Sequence, residues 1–204
     1  TQTAQAIALY LGIVPEGKEQ LVADKLCEVV RANNHFLDFG LLGSKSVPAM
    51  LTRYGYVEDA MKMITKTEAP SWGYWVETMG YTTLPETWTL SPQFRDASLN
   101  HVFMGDVSAW MMNQLAGINY DAAGPGFRHI LITPHFVEGM DWAKGEYHSV
   151  RGLISSQWKR EGGKVTLTVT IPSGCTADIR VGDKTETVGS GTCLLYTSDA
   201  ADDL

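Results

Sequence analysis

Apolar positions recur at helical spacing through the first 118 or so residues, then at alternate positions from about residue 127 onward. Ala4, Ile7, Ala8 and Leu11 fall on one face of a first predicted helix. Residues 17–32 repeat Leu21, Val22, Lys25, Leu26, Val29 and Val30 at i, i+1, i+4, i+5, the rhythm of an amphipathic helix. A third helix is predicted from Ser44 or Ser46 to Tyr54, with Pro48 in its first turn and Gly55 as a left-handed stop. Residues 57–65 continue with Val57, Ala60, Met61 and Ile64. A fifth helix starts near Asn100, capped by Ser98 or Asn100. Its Val102, Phe103, Val107, Trp110, Met111 and Leu115 cover most of the circumference, as in a helix buried on most sides. Helices joined by short loops predict a bundle or toroid.

The later rhythm has period two. HILITP, then KGEYHSVRGLISSQWKREGGKVTLTVTIPSG, then TADIRVGDKTETV alternate β-branched and polar residues between glycine turns. A small antiparallel β domain, a sandwich, is expected there. Residues 119–127, with two glycines and Pro125, mark the boundary. The expected organisation is therefore a helical part over 1–118 and a β domain over 119–192.

Composition narrows the function classes. The 204 residues carry 16 basic against 23 acidic side chains, with no basic cluster, which argues against a nucleic-acid partner. No apolar run is long enough for a membrane-spanning helix. The 44% apolar content supports a folded core. Cys27, Cys175 and Cys193 form no CxxC pair, and His35, His129, His135 and His148 stand at no ligand spacing. No metal site and no cofactor is expected; no Asp-rich calcium loop and no phosphate-cradling glycine loop occurs.

Candidate chemistry concentrates in residues 71–101. Trp72, Tyr74, Trp75, Tyr81 and Trp88 surround only two acids, Glu77 and Glu86, and His101 follows. Glycine and proline punctuate the stretch, so it reads as an ordered loop on a scaffold, where sites usually sit. Aromatic faces beside a carboxylate suit a polyol with apolar ring faces, such as a sugar. The same aromatics serve equally well as core under a solvated Glu86.

In order and spacing, TQTAQAIALYLGIVP, FGLLGSKSVPAML, YGYVEDAMKMI, APSWGYW, GYTTLPETW, SLNHVFMGDVSAWM, GFRHILITP and GEYHSVRGLISSQWKREGGKVTLTVTIPSG resemble the C-terminal part of a bacterial α-L-rhamnosidase of glycoside hydrolase family 78. The resemblance covers residues 1 to about 188. It implies a mainly α, then β chain: the last helices of an (α/α)6 catalytic barrel followed by a small antiparallel β-sandwich. It also implies an inverting glycosidase acting on a rhamnose-containing glycan or glycoside, exported to the periplasm or beyond.

The resemblance carries roles residue by residue. The family's TTxWE-type motif lines up with Thr82, Thr83, Leu84, Pro85 and Glu86, making Glu86 the implied general base; Pro85 stands where a Trp is common. His101, of SLNH, is implied to orient substrate hydroxyls or the carboxylate. Trp72 and Trp88, and less directly Trp75 and Tyr74, are implied to line the sugar pocket. Glu77 reads as a solvated loop acid; Asp38, Asp96 and Asp106 are ambiguous, with Asp106 expected to cap or pair. The family's general acid lies in a motif that is expected upstream of Thr1, so these residues hold half a mechanism. Two other readings stay open: another (α/α)6 glycosidase, or a carbohydrate-binding protein that kept the fold without catalysis.

The end of the chain is different in kind. CLLYTSDAADD, residues 193–203, resembles a translated sequencing adapter, and residues 193–204 are expected to be a non-native, poorly packed tail. Without Asp199, Asp202 and Asp203 the net charge moves from −7 to −4.

Overall fold

The computed structural model describes residues 1–88 and 97–196, so Asp96 and the end of the tail lie outside the described residues. The chain forms two compact units, Thr1–Trp110 and Met111–Leu204.

The first unit is helical: α1 (Gln2–Tyr10), α2 (Glu19–Ala32), α3 (Leu41–Arg53), α4 (Val57–Ile64) and the short α5 (Asp106–Trp110). Thr1 caps α1, its hydroxyl accepting the Ala4 N–H at 3.2 Å. The buried face of α1 is Gln2, Ala6 and Leu9, not the expected Ala4–Ile7–Ala8–Leu11 stripe. The reason is a buried amide. Gln2 donates Nε2–H to the Phe36 carbonyl at 2.9 Å and accepts the Asp38 N–H at 3.0 Å, so a satisfied polar side chain faces inward. α2 buries Ala23, Leu26, Cys27 and Val30, one i, i+3, i+4, i+7 stripe, while Leu21 faces outward.

Helix α3 starts earlier than its proline suggests. It begins at Leu41, so Pro48 lies in the interior and not in the first turn. Close packing at the start accounts for this: a Cβ on Gly43 would lie 2.2 Å from the Phe39 Cβ, so glycine lets the first turn fold over the Phe39 side chain. The expected fifth helix is broken. A 3-10 turn (Val102–Gly105) precedes α5, and a π turn (Met111–Leu115) opens the second unit. Val102 and Phe103 are largely exposed, 79% and 48%, because the changing helical period takes them off the Met104–Val107–Trp110 buried stripe.

One buried carboxylate ties α2 to α4. Asp59 accepts two bonds from Arg31, at 2.9 and 2.8 Å, and one from His35 Nε2 at 2.8 Å. Its side chain is only 6% exposed. Burial pushes its carboxyl up, but the Arg31 and His35 hydrogen bonds and the Arg31 charge outweigh that and hold it at about 2. The folded value lies below the unfolded value of about 3.9, so the stabilisation is full above about pH 5 and is lost as pH falls toward 2. Asp59→Asn should lower stability by about 2 kcal/mol at pH 7. The gap between variant and parent should close as pH is lowered through 4 to 2, followed by urea unfolding of the helical far-ultraviolet signal.

The second unit is a β-sandwich. One sheet orders β1 (Ile118–Tyr120), β2 (His129–Ile132), β6 (Thr176–Val181) and β7 (Lys184–Val188); the other orders β3 (Trp142–Ser149), β4 (Gly152–Glu161), β5 (Lys164–Ile171) and β8 (Gly191–Tyr196). The pairs are antiparallel except β2 with β6, which run parallel. The β3–β4–β5 meander lies between them in sequence and builds the other sheet, so β6 returns alongside β2 in the same direction. Ile130, Ile132, Ala177 and Ile179 of the first sheet and Ile154, Trp158, Val165, Leu167 and Val169 of the second are the buried inward positions. The Trp158 indole donates to the Leu115 carbonyl at 2.7 Å.

The adapter-like stretch begins inside β8. Cys193, Leu194, Leu195 and Tyr196 pair with Val169, Thr168, Leu167 and Thr166. Residues 193–196 thus differ from the expected poorly packed tail: their backbone pairs at an open sheet edge, which tolerates almost any alternating sequence. The side chains commit less: Leu194 is 50% and Tyr196 70% exposed.

Candidate functional site

Leu84 to Glu86 is held by its backbone against residues 98–101. The Glu86 N–H donates to the Ser98 carbonyl and the His101 N–H to the Leu84 carbonyl, both at 2.8 Å. The Thr83 hydroxyl donates to the Leu99 carbonyl at 2.6 Å. Pro85 is buried between them and Glu86 is half-buried. One carboxylate oxygen of Glu86, Oε2, accepts the Ser98 N–H at 3.1 Å. Among the described residues Oε1 has no protein hydrogen-bond partner, and no Lys, Arg or His forms an ion pair with Glu86. A carboxylate held through one oxygen keeps lone pairs on the other that can take a proton from a water.

The aromatics form a box of four rings. Trp75 stacks on Trp88 with centroids 4.3 Å apart, and Trp72 meets Trp88 edge-on at 5.1 Å. Phe39, just before α3, closes the box at 6.0 Å from both Trp72 and Trp88. Each indole N–H is bonded to a backbone carbonyl: Trp72 to Met104, Trp75 to Trp88 and Trp88 to Phe39. Trp72 and Trp75 are 4% and 1% exposed, whereas Trp88 is half-buried. Trp88 is therefore the least buried indole of the box, with Trp75 stacked on one of its faces.

His101 sits next to the Glu86 loop by backbone, but its ring bonds locally. Nδ1 accepts the Phe103 N–H at 3.3 Å and the ring lies edge-on to Phe103 at 5.3 Å. The imidazole itself caps the 3-10 turn, in place of the expected Ser98 or Asn100. Among the described residues no hydrogen bond joins His101 to Glu86. Glu77 and Asp38 are exposed; Asp106 opens α5, where a carboxylate suits the helix dipole. A cleft of about 560 Å³ in the β unit mixes aliphatic residues such as Leu167 and Ile179 with Lys184, Thr185 and Glu186, and contains none of the residues 71–101.

The profile described as the bacterial alpha-L-rhamnosidase 6 hairpin glycosidase domain matches residues 1–115, and that of the bacterial alpha-L-rhamnosidase C-terminal domain matches residues 117–192. The chain belongs to the bacterial α-L-rhamnosidase family. An α-L-rhamnosidase of Streptomyces avermitilis is 30% identical over 185 residues, 88% of this chain and 18% of that protein. One from Formosa agariphila is 28% identical over 183 residues, 88% of this chain and 19% of that protein. Among solved structures, native α-L-rhamnosidase from Aspergillus terreus superposes with a TM-score of 0.90 at 27% identity, over 97% of this chain and 24% of that one. The Streptomyces avermitilis enzyme complexed with L-rhamnose gives a TM-score of 0.88 at 27% identity, over 97% of this chain and 22% of that one. The chain thus spans about a fifth of the length of the curated relatives it matches.

Within this family frame, the structure brings Glu86, Trp72, Trp75, Trp88 and His101 into one loop system of the helical unit. Sequence reasoning missed Phe39, Thr83 and Ser98. Phe39 belongs to the FGLLG motif, but nothing local links it to tryptophans more than thirty residues on. Ser98 acts through its backbone N–H, which leaves no residue-type signal. Among the described residues no group of three or more His, Cys, Asp or Glu is placed to hold a metal ion, and no helix is long and apolar enough to cross a membrane.

Proposed function

We propose that this chain is the closing part of the catalytic barrel, with its following β domain, of an inverting α-L-rhamnosidase in which Glu86 is the general base. The supporting observation is the Glu86 carboxylate itself: half-buried, fixed through Oε2 to the Ser98 amide, with Oε1 unbonded among the described residues and an aromatic box in the same loop system. In an inverting hydrolysis this carboxylate accepts a proton from water as the water oxygen attacks the anomeric carbon. A carboxylic acid on the opposite side protonates the leaving oxygen, with the two groups roughly 6.5–9.5 Å apart. That acid is contributed by a part of the polypeptide outside these residues. Trp88 offers an apolar ring face to the sugar, and His101 borders the loop, its Nδ1 holding the turn that follows.

Exposed apolar side chains in the helical unit support the partial-barrel reading. Ile13, Leu42 and Leu21 are 70%, 64% and 64% exposed, on surfaces that further barrel helices would cover. The test is an assay of the complete polypeptide and of residues 1–204 alone on aryl α-L-rhamnosides, α-L-fucosides and glucosides. The complete polypeptide is expected to cleave the rhamnoside and to release the β anomer first, seen by proton NMR; residues 1–204 alone are expected to give no turnover. Release of the α anomer first would overturn inversion. Preference for a fucoside or glucoside would move the enzyme to another sugar, and binding without turnover would make it a lectin-like protein.

A further inference from the structure

The Glu86 carboxylate is held, among the described residues, by a strap, residues 98–101, through the Ser98 N–H. What keeps the strap in place is therefore as important as the carboxylate. Two backbone bonds link the strand-like pieces, Glu86 N–H to Ser98 carbonyl and His101 N–H to Leu84 carbonyl. Between them the Leu99 carbonyl would face solvent, and it is here that the Thr83 hydroxyl donates its 2.6 Å bond. Leu99 offers no anchor of its own, being 55% exposed. At the far end, the Ser98 hydroxyl accepts the Asn100 N–H at 3.1 Å and His101 Nδ1 caps the next turn, so the strap is bent by its own side chains and, among the described residues, pinned from outside by the Thr83 hydroxyl.

We propose that Thr83 is a positioning residue for the base: its hydroxyl latches the strap at Leu99 so that the adjacent Ser98 amide aims one oxygen of Glu86 and leaves the other toward water. The inference rests on the reading of Glu86 as general base. Catalysis is sensitive to the aim of such a group, since a misplacement of about 1 Å costs up to about a hundredfold in rate. Thr83 is exposed and its hydroxyl is committed to the Leu99 carbonyl, so its removal is expected to act on the chemical step and not on binding.

In the complete polypeptide, Thr83→Val keeps the shape of the side chain and removes only the hydroxyl. It is expected to lower kcat by about tenfold with KM within about twofold, the signature of a group realised in the transition state. Thr83→Ser, which restores the donor, is expected to recover most of the rate. In residues 1–204 themselves, amide hydrogen exchange at Ser98 should speed up in Thr83→Val while exchange in β5 stays as it was. Wild-type kcat in Thr83→Val, a change confined to KM, or no recovery in Thr83→Ser would each overturn the latch. Glu86→Gln separates the two ideas: a lost rate there with an intact rate in Thr83→Val removes only the latch, and an intact rate in Glu86→Gln removes both.

Discussion

Glu86→Gln in the complete polypeptide is expected to lower kcat for an aryl α-L-rhamnoside by about 10²- to 10⁴-fold, the usual worth of a positioned general base. The affinity for free L-rhamnose should change by less than about threefold, because the group acts on water and not on the bound ring. The substitution is suited to the question. A glutamine carbonyl oxygen can still accept the Ser98 N–H, and the 2.8 Å backbone bonds on either side are untouched, so the loop keeps its shape. What disappears is the ability of the second oxygen to take a proton. Two measurements are needed: single-turnover hydrolysis for the chemical step and titration with L-rhamnose for binding. A fall in affinity equal to the fall in rate would make Glu86 a sugar-binding group; no change in either would remove it from the site.

The fold was readable where burial follows a simple period. α2 declares itself through Ala23, Leu26, Cys27 and Val30, and β5 alternates perfectly from Lys164 to Ile171. It was misread where polar groups or backbone geometry override that period. Gln2 is fully buried because its amide is satisfied by Phe36 and Asp38, contacts more than thirty residues away. The stretch from Val102 to Leu115 looked like one helix because its apolar residues are dense, but three different helical periods share it. Density of apolar residues is not periodicity. The β2–β6 pair was invisible for another reason: alternation marks a strand but not its neighbour, and a parallel partner 47 positions on leaves no local trace.

The candidate site divides in the same way. Residue types announced the carboxylate and the tryptophans, since few side chains do such chemistry. Geometry then sorted the tryptophans, burying Trp72 and Trp75 and leaving Trp88 partly exposed. The partner that holds Glu86 is the Ser98 main-chain N–H, and the Thr83 hydroxyl bonds the neighbouring Leu99 carbonyl; neither stands out in a sequence. His101 shows the limit from the other side. Its position in SLNH suggests a partner for the substrate or the base, and what the structure adds is that Nδ1 caps the turn that starts with Val102. A cap fixes where the strap ends, so the imidazole contributes to the site through structure whatever else it touches.

Trp75→Ala should be the most damaging substitution in the helical unit, at about 3–5 kcal/mol. The indole is 1% exposed, stacks on Trp88 at 4.3 Å and donates Nε1–H to the Trp88 carbonyl at 3.3 Å. Its removal leaves a large cavity, an unpaired carbonyl and a Trp88 ring with nothing behind it. Domains of this size are stable by about 5–15 kcal/mol in total, so such a loss brings the unit close to unfolding at growth temperature. Trp75→Phe distinguishes the contributions. It keeps a ring against Trp88 and loses the hydrogen bond, with an expected cost of about 1–2 kcal/mol. Trp142→Ala in the β unit is the control for the residue type: that indole is 61% exposed, and its loss should cost no more than about 0.5 kcal/mol. Urea unfolding followed by tryptophan emission and far-ultraviolet circular dichroism resolves all three. If Trp75→Ala were no worse than Trp142→Ala, the stacked box would be surface decoration, and Trp88 would have no rigid backing from which to present its face to a sugar.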